Sequence, residues 1–137
     1  MKKTLFTIVV MGILLLSACG GTSSSASRAI GTLEPVPADY AGKTNPLGSD
    51  AAIEGTKLFK TNCETCHGPQ GHGDGPVGVS LDPKPVNLAE LQTVASDDYI
   101  FWRISEGRPG TSMPAWKSIL PEEQIWQIIA FIRTLKQ

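Results

Sequence analysis

Near the middle of the chain, Cys63-Glu64-Thr65-Cys66-His67 places two thiols three positions apart and an imidazole directly after the second. Each reading of this pentapeptide demands a different surrounding fold. A structural disulfide would suit an oxidising compartment but leaves His67 without a role. A thioredoxin-like redox pair needs a βαβ pattern around it, and a zinc site needs a second Cys or His cluster. Neither accompanies the motif here. Cys-x-x-Cys-His is also the attachment signature of covalently bound haem c. Thiols so spaced at the end of a helix reach the two vinyl groups along one porphyrin edge. The adjacent imidazole then lies beneath the ring, where a neutral ring nitrogen ligates iron. One haem c attached through Cys63 and Cys66, with His67 as proximal ligand, is the expectation.

A second iron ligand has to come from elsewhere. The chain has Met1, Met11 and Met113, and the first two fall in an amino-terminal segment with the marks of a removable export signal. Met113 sits in Gly110-Thr111-Ser112-Met113-Pro114-Ala115-Trp116, where Gly110 allows a turn before the methionine and Pro114 stiffens the backbone after it. A lone methionine usually fills core, but a polar Gly/Pro loop offers little core to fill. Met113 is therefore expected as the sixth ligand. The rival is His72, five residues beyond His67 in a Gly-rich turn too short to reach the opposite haem face easily; it is expected as a surface side chain near the haem edge.

The amino terminus reads as an export signal. Lys2 and Lys3 precede an apolar run from Leu5 to Leu16, then Ser17, Ala18 and Cys19. That run is short of the roughly 20 residues a spanning helix needs. Leu16-Ser17-Ala18-Cys19 is similar to a bacterial lipobox, so residues 1–18 are expected to be removed and Cys19 lipidated, tethering the protein on the periplasmic or extracytoplasmic side. An ordinary cleavage site is the alternative, but leaves an exported free thiol unexplained. The chain carries 12 Lys and Arg against 13 Asp and Glu, and loss of the signal leaves a mildly acidic protein without the basic excess of a nucleic-acid binder. Residues 19–48, Gly/Ser/Thr-rich and then Pro-dotted, read as linker, either flexible or wrapping a partner subunit as an ordered arm.

Residues 49–137 form the folded part, and its periodicity is helical. Ser49 or Asp50 can cap a helix through Ala52, Ile53, Leu58 and Phe59, with Gly55 leaving a gap for another helix. Ser96, followed by Asp97 and Asp98, opens a helix that closes near Gly107. Glu122 to Leu135 has a wide apolar face, with acids at its start and Arg133 and Lys136 at its end, complementing the helix dipole. No strand period competes, and the run Leu81–Leu91 has no assignment.

The haem motif, then Gly-x-x-Gly-x-Gly-x-Gly-Pro, Met113-Pro114 and a Trp-containing last helix together resemble a class I, monohaem cytochrome c of the bacterial lipoprotein type. The resemblance implies a small all-α domain whose first and last helices cross while loops wrap one haem c. It also implies that the Pro76 carbonyl accepts from the second nitrogen of His67, which would orient the ring. Arg108 and Trp116, flanking Met113, are candidates to bind haem propionates or else pack the loop. His/Met ligation saturates the iron and suits electron transfer. The implied protein is an electron carrier, or a redox subunit of a respiratory or photosynthetic membrane complex such as a quinol-oxidising complex like alternative complex III, and not an enzyme. The alternative is a haem enzyme or gas sensor from which Met113 dissociates.

Overall fold

The structure is a computed structural model, and it describes residues 30–137. The signal segment and Cys19 lie outside the described residues. Five α-helices succeed one another: α1 (Ala51–Asn62), α2 (Glu64–His67), α3 (Leu88–Val94), α4 (Asp97–Glu106) and α5 (Glu122–Ile132), with one 3₁₀ turn at Gly78–Ser80. No strand occurs among the described residues, and the expected all-α fold is the one observed.

α1 and α5 cross at Gly55. A Cβ there would lie 1.9 Å from the Gln127 carbonyl oxygen and 3.0 Å from Phe131 Cβ, so only a residue without a side chain lets the two backbones approach this closely. Phe59, one turn further along α1, packs on Phe131 with ring centroids 4.8 Å apart. Beneath the crossing, Ile100 of α4 and Ile125, Ile128, Ile129 and Ile132 of α5 are almost wholly buried, and Phe101 stacks on Trp126 at 4.3 Å. The apolar positions on α5 recur every three or four residues, which is why one face of this helix supplies so much of the core.

The ends of the helices differ from expectation. Asp50 precedes α1 but makes no side-chain cap, and the Ser96 hydroxyl donates to the Asp98 carboxylate instead of capping α4. α5 stops at Ile132, short of Leu135, and no basic residue lies in its last turn. Arg133 is drawn off by acceptors that a helix end does not offer. Its guanidinium pairs with Asp97 at 2.6 Å and donates to the carbonyls of Ala95, at 2.9 Å, and Gln92. It thus ties the end of α5 to the α3–α4 junction. The unassigned stretch contains the start of α3, capped by Asn87, whose Oδ1 accepts from the Ala89 and Glu90 amides at 3.0 and 3.2 Å.

Residues 30–48, expected within a linker, lie along their own domain. Ile30, Leu33, Val36, Tyr40 and Leu47 pack against the core. Asn45 donates from its backbone to Asp97 at 3.0 Å and from its side chain to the Trp126 carbonyl at 2.9 Å, while the Gly42 amide donates to Asp98 at 2.7 Å. The stretch has scattered apolar residues without a helical or strand period, because its acceptors come from distant helices and not from a regular pattern of its own.

Replacing Gly55 by Ala should destabilise the protein by about 2 to 3 kcal/mol, since the added methyl meets backbone that cannot yield. Thermal unfolding of haem-free protein measures this, and an unchanged midpoint would mean that α1 and α5 do not cross here.

Candidate haem-binding site

The site begins where α1 ends. The Cys63 amide donates to Phe59 O at 2.8 Å, closing α1, and its carbonyl accepts from the His67 amide at 2.9 Å, opening the single turn of α2. A chain segment that is nearly continuous helix therefore presents Cys63, Cys66 and His67. Both thiols are free, so the disulfide reading finds no support. Burial, reinforced by the neighbouring Cys66, pushes the Cys63 thiol up to about 12.

After α2 the chain folds back over the motif through glycines. A Cβ on Gly78 would lie 1.9 Å from the Cys66 carbonyl oxygen, and one on Gly75 would lie 2.5 Å from that of Thr65. Gly73, at φ +78°, brings the Pro85–Val86 segment close, since a Cβ there would meet Pro85 O at 2.4 Å. This wrapping places the Val86 carbonyl 3.3 Å from His67 Nδ1. Pro76 is exposed, and the expected acceptor is replaced by Val86 because the Gly73 turn, not the Gly75-Pro76 turn, delivers a carbonyl to the ring.

His67 is only 8% exposed, and that burial pulls its pKa below the ordinary 6.5, with the Val86 hydrogen bond opposing the shift. With the proton on Nδ1 facing Val86, Nε2 keeps its lone pair, which is the form that binds a metal. A neutral buried imidazole beside two free thiols at haem-attachment spacing fits haem c chemically. Among the described residues no group of three or more His, Cys, Asp or Glu could hold a bare metal ion.

Met113 is half-buried in the loop after α4 and packs against the same core as Cys63 and Trp116. The loop is pinned at its base: the Arg108 amide donates to Met113 O at 3.1 Å, and the Trp116 amide to Ile104 O at 3.1 Å. Gly107, at φ +68°, is required there, since a Cβ would sit 2.6 Å from Met113 O. The Arg108 side chain is about half exposed and faces Glu34, Trp116 is half-buried, and His72 is exposed as expected.

A family model described as cytochrome C oxidase, cbb3-type, subunit III matches residues 50–132, which begins at the residue before α1 and ends with α5. The chain belongs to this family of c-type cytochromes. The cytochrome is 27% identical over 100 residues to the cbb3-type cytochrome c oxidase subunit CcoP of Azospirillum brasilense, covering 72% of this chain and 34% of that protein. It is 30% identical over 86 residues to cytochrome c6 of Thermosynechococcus vestitus, covering 63% and 70%. Among solved structures, the KustC0563 c-type cytochrome superposes with a TM-score of 0.53 at 30% identity, over 61% of this chain and 98% of that one. The cytochrome thus spans about a third of the length of the oxidase subunits it matches. No helix among its described residues is long and apolar enough to cross a membrane.

Sequence reasoning missed Val86 and Arg103. Arg103 had a signal, as a lone cation inside the apolar run of α4, where it is buried with its guanidinium 3.8 Å from the Trp102 ring centre. Val86 had none, because a backbone carbonyl is supplied by any residue.

Burial at Cys63 and His67 should show in solution in the haem-free protein. Its Cys63 should be alkylated by iodoacetamide at pH 9 at least tenfold more slowly than an ordinary cysteine, because little of it is thiolate. Its stability should hold above about pH 6.5 and fall below it, since the unfolded chain then takes up a proton that buried His67 refuses. Denaturant titrations at pH 7.5 and 5.5 measure the second, and His67→Gln should flatten that part of the profile.

Proposed function

We propose that this cytochrome carries one haem c, which Cys63 and Cys66 would hold by thioethers and whose iron His67 and Met113 would bind, and that it transfers electrons between redox partners. The observation that carries the reading is the buried, neutral His67 held through Nδ1 by Val86, beside two free thiols. When bound, the haem supplies a one-electron couple whose potential rises with Met ligation.

The chain's own part is positional. Val86 keeps the His67 ring in one tautomer with Nε2 free, and the glycine-lined turn excludes water from the ring. The base of the Met113 loop holds a thioether sulfur ready in a half-buried setting. Arg108 and Trp116 are retained as candidate partners for the propionates. No acid, base or nucleophile is needed, and a peroxidase-like site would have only the exposed His72 to draw on as a histidine base.

Lipidation at Cys19 after removal of residues 1–18 would hold the domain at a membrane on the periplasmic or extracytoplasmic side. This supports a role either as a tethered carrier or as a subunit of a respiratory or photosynthetic electron-transfer complex. The CcoP relative is by name a subunit of a cbb3-type oxidase, while cytochrome c6 matches over most of its own length.

The test is the absorption spectrum of ferric protein made with haem-attachment machinery. A weak far-red sulfur-to-iron band in the native protein that is lost in Met113→Ala supports the reading. Attached haem without that band would overturn Met113 ligation. Mass spectrometry of intact protein should find one haem added, and none in a Cys63→Ser/Cys66→Ser variant.

A further inference from the structure

The segment 34–43 is tied to the start of the Met113 loop by two side chains. Glu34 lies between two arginines: its Oε2 is 2.6 Å from the buried Arg103 guanidinium, and its Oε1 is 3.8 Å from that of Arg108. Arg103 is fixed in turn by Trp102 and by Tyr99, whose hydroxyl lies 3.4 Å from its Nε. Arg108 belongs to the loop itself, and its amide closes the loop on Met113 O. At the end of α4, where the loop begins, the Tyr40 hydroxyl donates to Glu106, and Glu106 in turn pairs at 2.8 Å with Lys117, one residue past Trp116 on the loop's far side. An open cleft of about 360 Å³ lined by Glu34, Glu106 and Arg108 lies beside these ties.

We propose that residues 34–43 act as a strap that holds the Met113 loop closed, with Glu34 and Tyr40 as its two positioning residues. Neither residue touches the haem ligands. Each acts by joining a fixed element, the arm packed on the core, to the start of the loop that carries Met113, and Glu106 passes the Tyr40 tie on to Lys117. Glu34 contributes more at its Arg103 end, where the guanidinium is desolvated, than at the exposed Arg108 end. Tyr40 contributes a hydrogen bond to an ionised acceptor, which is stronger than a neutral one.

The strap's effect on ligation rests on Met113 being the sixth iron ligand. Its readout is the rate at which the loop opens. In ferric holoprotein, saturating imidazole displaces the methionine at a rate limited by that opening, followed by loss of the far-red band. Glu34→Gln and Tyr40→Phe should each raise the limiting rate about three- to tenfold, and the double variant should exceed either. Glu54→Gln, which removes an exposed ion pair on α1, should leave it unchanged. Amide exchange at Arg108 should quicken in the same variants while that of Ile129 in α5 stays as in the parent, which separates loop opening from general loosening. Rates within twofold of the parent, with unchanged exchange at Arg108, would overturn the strap. A parent protein with attached haem and no far-red band would overturn Met113 ligation and the strap's role with it; a parent band with insensitive variants would overturn the strap alone.

Discussion

The contact between Gly55 and the Gln127 carbonyl governs where everything else sits. It sets the distance at which α1 crosses α5, and α1 hands its direction, through Cys63, to the turn bearing Cys66 and His67. α5 in turn supplies the isoleucine face on which α4 rests, and α4 leads directly into the Met113 loop. Both sides of the candidate haem site are therefore hung from one helix crossing. A side chain at residue 55 would displace the two candidate iron ligands relative to one another even though it touches neither.

The site is built by backbone as much as by side chains. Glycines at 73, 75 and 78 let carbonyl-bearing segments close over a single helical turn, and the closure is what delivers Val86 to the imidazole. Burial then does the chemical selection. It disfavours charge on both the imidazole and the Cys63 thiol, so the site is kept as a neutral donor set in an apolar setting.

What the sequence made legible was what local chemistry determines. The haem motif can be read from spacing alone, as can the gap at Gly55, the helix after Ser96 and the apolar face of α5, and the structure bears out the last three. Asn87-Leu88-Ala89-Glu90 carried a comparable signal for α3, since Asn87 caps the helix and its side-chain amide donates to Glu90 at 3.1 Å, but the neighbouring prolines at 83 and 85 obscured it. Three features were beyond such reading because distant partners decide them. Arg133 looked like a dipole-complementing helix end until Asp97 and two carbonyls claimed it. Val86 acts through its main chain, and the arm has no periodicity because its contacts are set by α4 and α5.

The docked arm also bears on the reach of the chain. With residues 30–48 laid along α4 and α5, any attachment at the amino terminus is nineteen residues shorter than an undocked linker would make it. Glu34 lies beside Arg108, so the arm runs next to the start of the Met113 loop. The contacts that order the arm thus take its whole length out of the reach of any such tether.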